Sequence, residues 1–177
     1  MASFDPDAPV DLVYRLMFDS PVTLYWRQAI LDEHVAWLVE HGYQVLSFDA
    51  STWLTKAEML RDIAVALDFP PSSRHNLDGF NDRIRDVVGQ DYGWRPEATG
   101  LALVFARYDA IAAREPDAAL AVLDILTDQS RSALLFGRRL MCLVQSDDPD
   151  IHFGPLGAVA ARWNDAETLR VRRAPAP

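Results

Sequence analysis

The chain has a single cysteine, Cys142, in 177 residues. No disulfide can therefore close within it, and a disulfide-stapled secreted scaffold is excluded. Cys142 stands inside the apolar run LMCLV and reads as a small buried hydrophobe rather than a reactive thiol. Basic residues are also scarce: 17 Lys and Arg face 26 Asp and Glu, for a formal charge of -9. Phosphate backbones are bound by surplus cations, so this balance argues against nucleic acid as a direct ligand and favours a basic protein partner. No run approaches the roughly 18 apolar residues that span a membrane. The start, MASFDPDAPV, has neither the basic nor the apolar region of a signal peptide, so a cytoplasmic location is expected.

Several chemical signatures are missing too. Neither a glycine-rich phosphate loop nor a G-x-S-x-G nucleophile elbow occurs. His34, His41, His75 and His152 show no H-E-x-x-H pattern and no cysteine company. The expectation is a protein with no catalytic residues, no cofactor and no metal site.

Half the residues are apolar and about a quarter are charged, as in an ordinary globular protein. The length suits one well-cored domain, 1–177, with no linker or repeat to divide it. VDLVYRLM and PVTLYW read as two short strands parted by a turn at Asp19 to Pro21. Arg27 to His41 repeats apolar residues near a 3.6 period and stops at Gly42, which predicts a helix, and Tyr43 to Ala50 then reads as a strand. Thr55 and Glu58 form a T-x-x-E capping box for a helix with Met59, Leu60, Ile63, Ala64 and Leu67 on one stripe. Pro70 and Pro71 end that helix.

Leu101 to Phe105 and Arg139 to Gln145 are continuous apolar runs, the pattern of strands buried on both faces. Between them Pro116 and Gly137 bracket a long apolar helix. Ala158 to Trp163 is one more candidate strand. Alternating strands and helices predict an α/β domain with a mainly parallel small sheet flanked by helices, to which the first 42 residues add strands and a helix.

The most informative segment is FPPSSRHNLDGFNDRIRDV, Phe69 to Val87. A polar loop enters a helix near Asn76 whose apolar face is Leu77, Phe80, Ile84 and Val87. Asp78 and Asp82 are spaced i and i+4, so both carboxylates project from one face. Helix physics alone accounts for part of this: with Asn76 as N-cap, Asp78 sits where the positive end of the dipole favours an acid, while Asp82 lies beyond its reach. Arg83 and Arg85 are close enough to pair with these acids. Tyr92 and Trp94 follow in a loop, either as further contacts or as a packed lid, and Asp147, Asp148 and Asp150 read as a solvated turn apart from the Asp78 surface.

This segment resembles the inhibitory region of the barstar family. The matching residues are Ala66-Leu67-Asp68-Phe69-Pro70, then Asn76-Leu77-Asp78-Gly79-Phe80-Asn81-Asp82-Arg83-Ile84, after the strand VLSFDAS and the capped helix. The likeness covers about Tyr43 to Asp147, leaving 1–42 and 148–177 as terminal extensions. It implies an intracellular, non-enzymatic ribonuclease inhibitor, an immunity protein whose acids stand where substrate phosphates would go, with Asp82 at the central position and Asp78 beside it. The implied partner-binding set is Ser72, Ser73, Arg74, His75, Asn76, Asp78, Asn81 and Asp82. Serines 72 and 73 replace family tyrosines, Arg74 replaces a loop glycine, and Asn81 replaces a tryptophan. Two other readings stay open: a scaffold or regulatory binding module with a changed target, and a divalent-metal enzyme using Asp78 and Asp82.

Overall fold

The computed structural model describes residues 12–17, 19–71, 76–168 and 173. Five strands form one sheet in the order β2-β3-β4-β1-β5. They are β1 (Val22–Tyr25), β2 (Gln44–Asp49), β3 (Leu101–Ala106), β4 (Leu140–Gln145) and β5 (Arg162–Trp163). Every pairing between them is parallel. Both faces are covered, which explains why β3 and β4 show no polar alternation.

Strand periodicity divides the side chains between two cores. Leu101, Leu103 and Phe105 of β3, with Cys142 and Val144 of β4, point toward α3 (Lys56–Ala66), α4 (Leu77–Gly89), α5 (Asp109–Arg114) and α6 (Pro116–Leu135). Ala102 and Val104, with Met141 and Leu143, point toward α1 (Leu12–Met17) and α2 (Gln28–Glu40) on the opposite face. Cys142 is 1% exposed, and burial pushes its thiol pKa up, so it is inert packing.

The N-terminal region corrects the sequence reading. Residues 12–17 form α1 rather than a strand, because Val13 and Leu16, one helical turn apart, are both buried against the sheet face. PVTLYW does supply a strand, β1, but it does not pair with a neighbour in sequence. It inserts between β4 and β5, with Val22 opposite Cys142 and Leu24 opposite Trp163. The tail strand is only Arg162–Trp163, and Leu156 and Val159 before it form an isolated antiparallel bridge instead. The capping box of α3 is complete: Thr55 Oγ1 accepts from Glu58 N, and the Glu58 carboxylate accepts from Thr55 N at 3.1 Å. Leu54, just before the cap, stays 62% exposed, so the cap rests on these hydrogen bonds.

Two backbone features fix the end of α3 against the loop after α4. Asp68 takes a left-handed conformation, φ 52°, just past the end of α3. Gly93, φ 72°, lies against the Leu67 backbone so closely that a Cβ there would overlap the Leu67 carbonyl. The end of α3 and the loop after α4 are thereby packed together.

Candidate functional site

Helix α4 begins as its sequence specifies. Asn76 is extended, and its side-chain oxygen accepts from Gly79 N at 2.8 Å. Phe80, Ile84, Val87 and Val88 are 1 to 2% exposed and seat the helix in the core, and Leu77 is partly buried beside them. Gln90 ends the helix in the left-handed region at φ 66°. The first turn is also braced by rings: Phe69 packs 6.1 Å from Phe80 and edge-on to Tyr92 at 6.0 Å.

Asp78 and Asp82 are both exposed on the face away from this core. Asp78 has no hydrogen-bond or ion-pair partner among the described residues. Asp82 Oδ1 accepts from Arg85 Nη1 at 3.4 Å, with both side chains more than 60% exposed. Such a pair is long, solvated and worth little, so Arg85 restrains Asp82 only weakly. Arg83 does not blunt the acids. It turns to Asp86 at 3.0 Å, and Tyr92 Oη donates to the same Asp86 oxygen at 2.9 Å. Burial, then the Asp86 carboxylate, pushes the Tyr92 pKa up to about 12, which keeps the phenol protonated as a donor.

Asn81 faces inward. Its side-chain oxygen accepts from Gln129 Nε2 of α6 at 2.9 Å, and Gln129 is only 6% exposed. This polar pair in the α4/α6 seam was not legible in the sequence, since its two residues are 48 positions apart. Trp94 is 3% exposed within the main core. It and Tyr92 therefore pack as a lid. Ser72, Ser73, Arg74 and His75 lie outside the described residues.

The turn after β4 combines a local bond, Asp150 N to Asp148 Oδ1 at 2.9 Å, with one that reaches α5, Asp147 N to Asp109 Oδ1 at 2.9 Å, 38 positions earlier. Among the described residues no group of three His, Cys, Asp or Glu is placed to hold a metal ion. No helix among them is long and apolar enough to cross a membrane.

The fold and this helix define a class: a parallel-sheet α/β domain that presents two acids on a capped, well-seated helix. Comparison with known families then places the chain. The Barstar family model, described as barstar (barnase inhibitor), matches residues 43–145, more than half of the sequence, and the chain belongs to that family. A comparison with curated proteins gave no match.

Proposed function

We propose that this protein is a non-enzymatic, intracellular inhibitor of a ribonuclease or ribonuclease-fold toxin. Asp78 and Asp82 enter the partner's basic active site in place of substrate phosphates. The carrying observation is that a barstar-family domain holds both acids exposed, four residues apart, on one face of α4. A pocket lined by guanidinium and ammonium groups accepts carboxylates through charge-assisted hydrogen bonds. The net charge of -9 steers the protein toward a cationic surface.

In this proposal Asp82 is the central acid and Asp78 its neighbour. The loop Ser72 to His75, with Asn76, forms the rim of the contact. Asn81 contributes chiefly by tying α4 to α6 through Gln129. The burial of Trp94 and the inward turn of Asn81 leave the exposed face of α4 without a large aromatic anchor. Binding then depends on charge more than on aromatic packing, and the target differs in surface from one that needs tyrosine and tryptophan contacts.

The test is inhibition and binding against a panel of basic microbial ribonucleases that includes barnase, using wild type and Asp82→Ala. Truncating one member of a desolvated charge pair costs about 2 kcal/mol or more, so the variant should bind at least about 30-fold more weakly. Equal inhibition by both proteins would remove Asp82 from its role. Capture of an unrelated cytosolic protein with no ribonuclease affinity would favour the scaffold reading.

A further inference from the structure

The connections that follow β1 and β4 leave on opposite sides of the sheet. Helix α2 crosses the face that holds Tyr25 and Val104, whereas the β4–β5 connection sends Ile151 and Leu156 into the other core. In open parallel sheets such a divergence opens a crevice beyond the strand C-termini, and a helix N-terminus there attracts anions. Across this crevice Ser146 N donates to Tyr25 O at 2.9 Å, and Gln145 Nε2 donates to Trp26 O at 3.3 Å.

A carboxylate is bound just beyond the end of β1. Glu167 is 0% exposed, and its two oxygens accept from Trp26 N at 2.6 Å, Arg27 N at 2.6 Å and Arg27 Nε at 3.1 Å. These donors lie at the entry to α2, whose N-cap, Arg27, makes no side-chain capping bond of its own. Glu167 comes from a segment 141 residues later than Trp26. That segment is fastened separately. Asn164 N donates to Leu24 O at 2.8 Å, and Arg27 Nη2 donates to Ala166 O at 3.0 Å. Arg173, 7% exposed, donates to Glu167 O at 2.6 Å and Pro149 O at 2.7 Å while its guanidinium lies 4.1 Å from the Trp163 ring centroid.

We propose that the C-terminal segment is a tethered ligand of the domain: the sheet's crevice is a carboxylate-binding seat, formed by the Trp26 and Arg27 amides with the Arg27 guanidinium, and Glu167 occupies it in cis. The seat lies outside the family-matched residues 43–145 and involves no residue of α4. It assigns the terminal extensions a joint task. The N-terminal extension builds the seat, the C-terminal one supplies its occupant, and together they close the crevice in which α/β folds of this kind take small anionic ligands.

Chemical rescue in the full chain tests this. Glu167→Ala should melt well below wild type, and sodium formate should raise the melting temperature of that variant by several degrees more than sodium chloride at equal ionic strength. Wild type, whose seat is filled, should show no such preference for formate. Equal formate shifts in the two proteins would overturn the proposal. Should Glu167→Ala fail to fold, amide exchange decides between the outcomes. The Trp26 and Arg27 amides should be among the slow exchangers in wild type and exchange at least tenfold faster in Glu167→Gln, and unchanged rates would overturn the assignment.

Discussion

Replacing Asn76 by alanine removes one bond, the 2.8 Å hydrogen bond from Gly79 N, while leaving the backbone bond from Phe80 N to Asn76 O at 2.8 Å in place. Losing an N-cap side chain of this type costs about 1 kcal/mol, within a range of about 0.5–2. Asn76 is exposed, so water can reach Gly79 N and the cost should stay near the lower half of that range. For a domain of this size 1 kcal/mol corresponds to about 2–4 °C in melting temperature. The change is also local. Asp78 rides on the first turn that the cap fixes, whereas Asp82 follows Phe80, which is 2% exposed and pins the helix. Asn76→Ala should therefore speed amide exchange at Gly79 and weaken the contribution of Asp78 to partner binding, with little effect on that of Asp82. Asn76→Ser and Asn76→Asp keep an acceptor and should restore both stability and protection. Thermal and urea denaturation of the three variants, with exchange measured by NMR, provides the assay. Equal stability of the alanine and serine variants, or unchanged Gly79 exchange, would refute the capping argument.

Two further predictions concern the frame of the site. His34 Nδ1 lies 2.8 Å from Tyr25 Oη, and burial, followed by the positive charge of Arg15, lowers the His34 pKa, with Glu33, Glu167 and Asp165 acting weakly the other way. A depressed folded pKa means that this stabilisation is complete above the unfolded value of about 6.5 and is lost as pH falls through the folded pKa. Wild type should thus lose stability on acidification from about pH 6.5, and His34→Gln should show a flatter profile in urea titrations. Parallel profiles would contradict the assignment. Gly93→Ala should lower the melting temperature through both the positive φ and the Leu67 overlap, and it should disturb amide shifts at Leu67 and Asp68. Unchanged shifts there would show that the two loops are not tightly packed.

Local signals in the sequence are legible where the determining partners lie within a few residues. The Thr55–Glu58 box, the Asn76 cap, the α2 and α4 stripes and the buried runs of β3 and β4 are all of this kind. Residues 12–17 read as a strand because Val13 and Tyr14 favour strands on propensity, while the i, i+3 burial of Val13 and Leu16 depends on a sheet face supplied by residues far along the chain. The short α5 was missed because six residues give little periodicity, and it starts just after Arg107, which is left-handed at φ 52°. At the site, the exposure of Asp78 and Asp82 followed from spacing. The inward bond of Asn81, the diversion of Arg83 to Asp86 and the burial of Trp94 required knowing what packs against α4.

The position of β1 sets an order of events during synthesis. Trp26, at its end, meets Gln145 from 119 residues further along, and Glu167 from 141 residues further. At about 5–20 residues per second a ribosome takes roughly 6–24 s to make the first of those intervals. Throughout that wait the apolar strand Val22–Tyr25 has no neighbour to pair with, whereas β2 to β4 can assemble as they emerge. The nascent chain thus holds an unsatisfied strand until β4 and β5 emerge to flank it. A ribosome-stalled chain ending before Gln145 should be bound by chaperones at that strand, and one carrying after Arg173 a linker long enough to clear the ribosomal tunnel should be released from them.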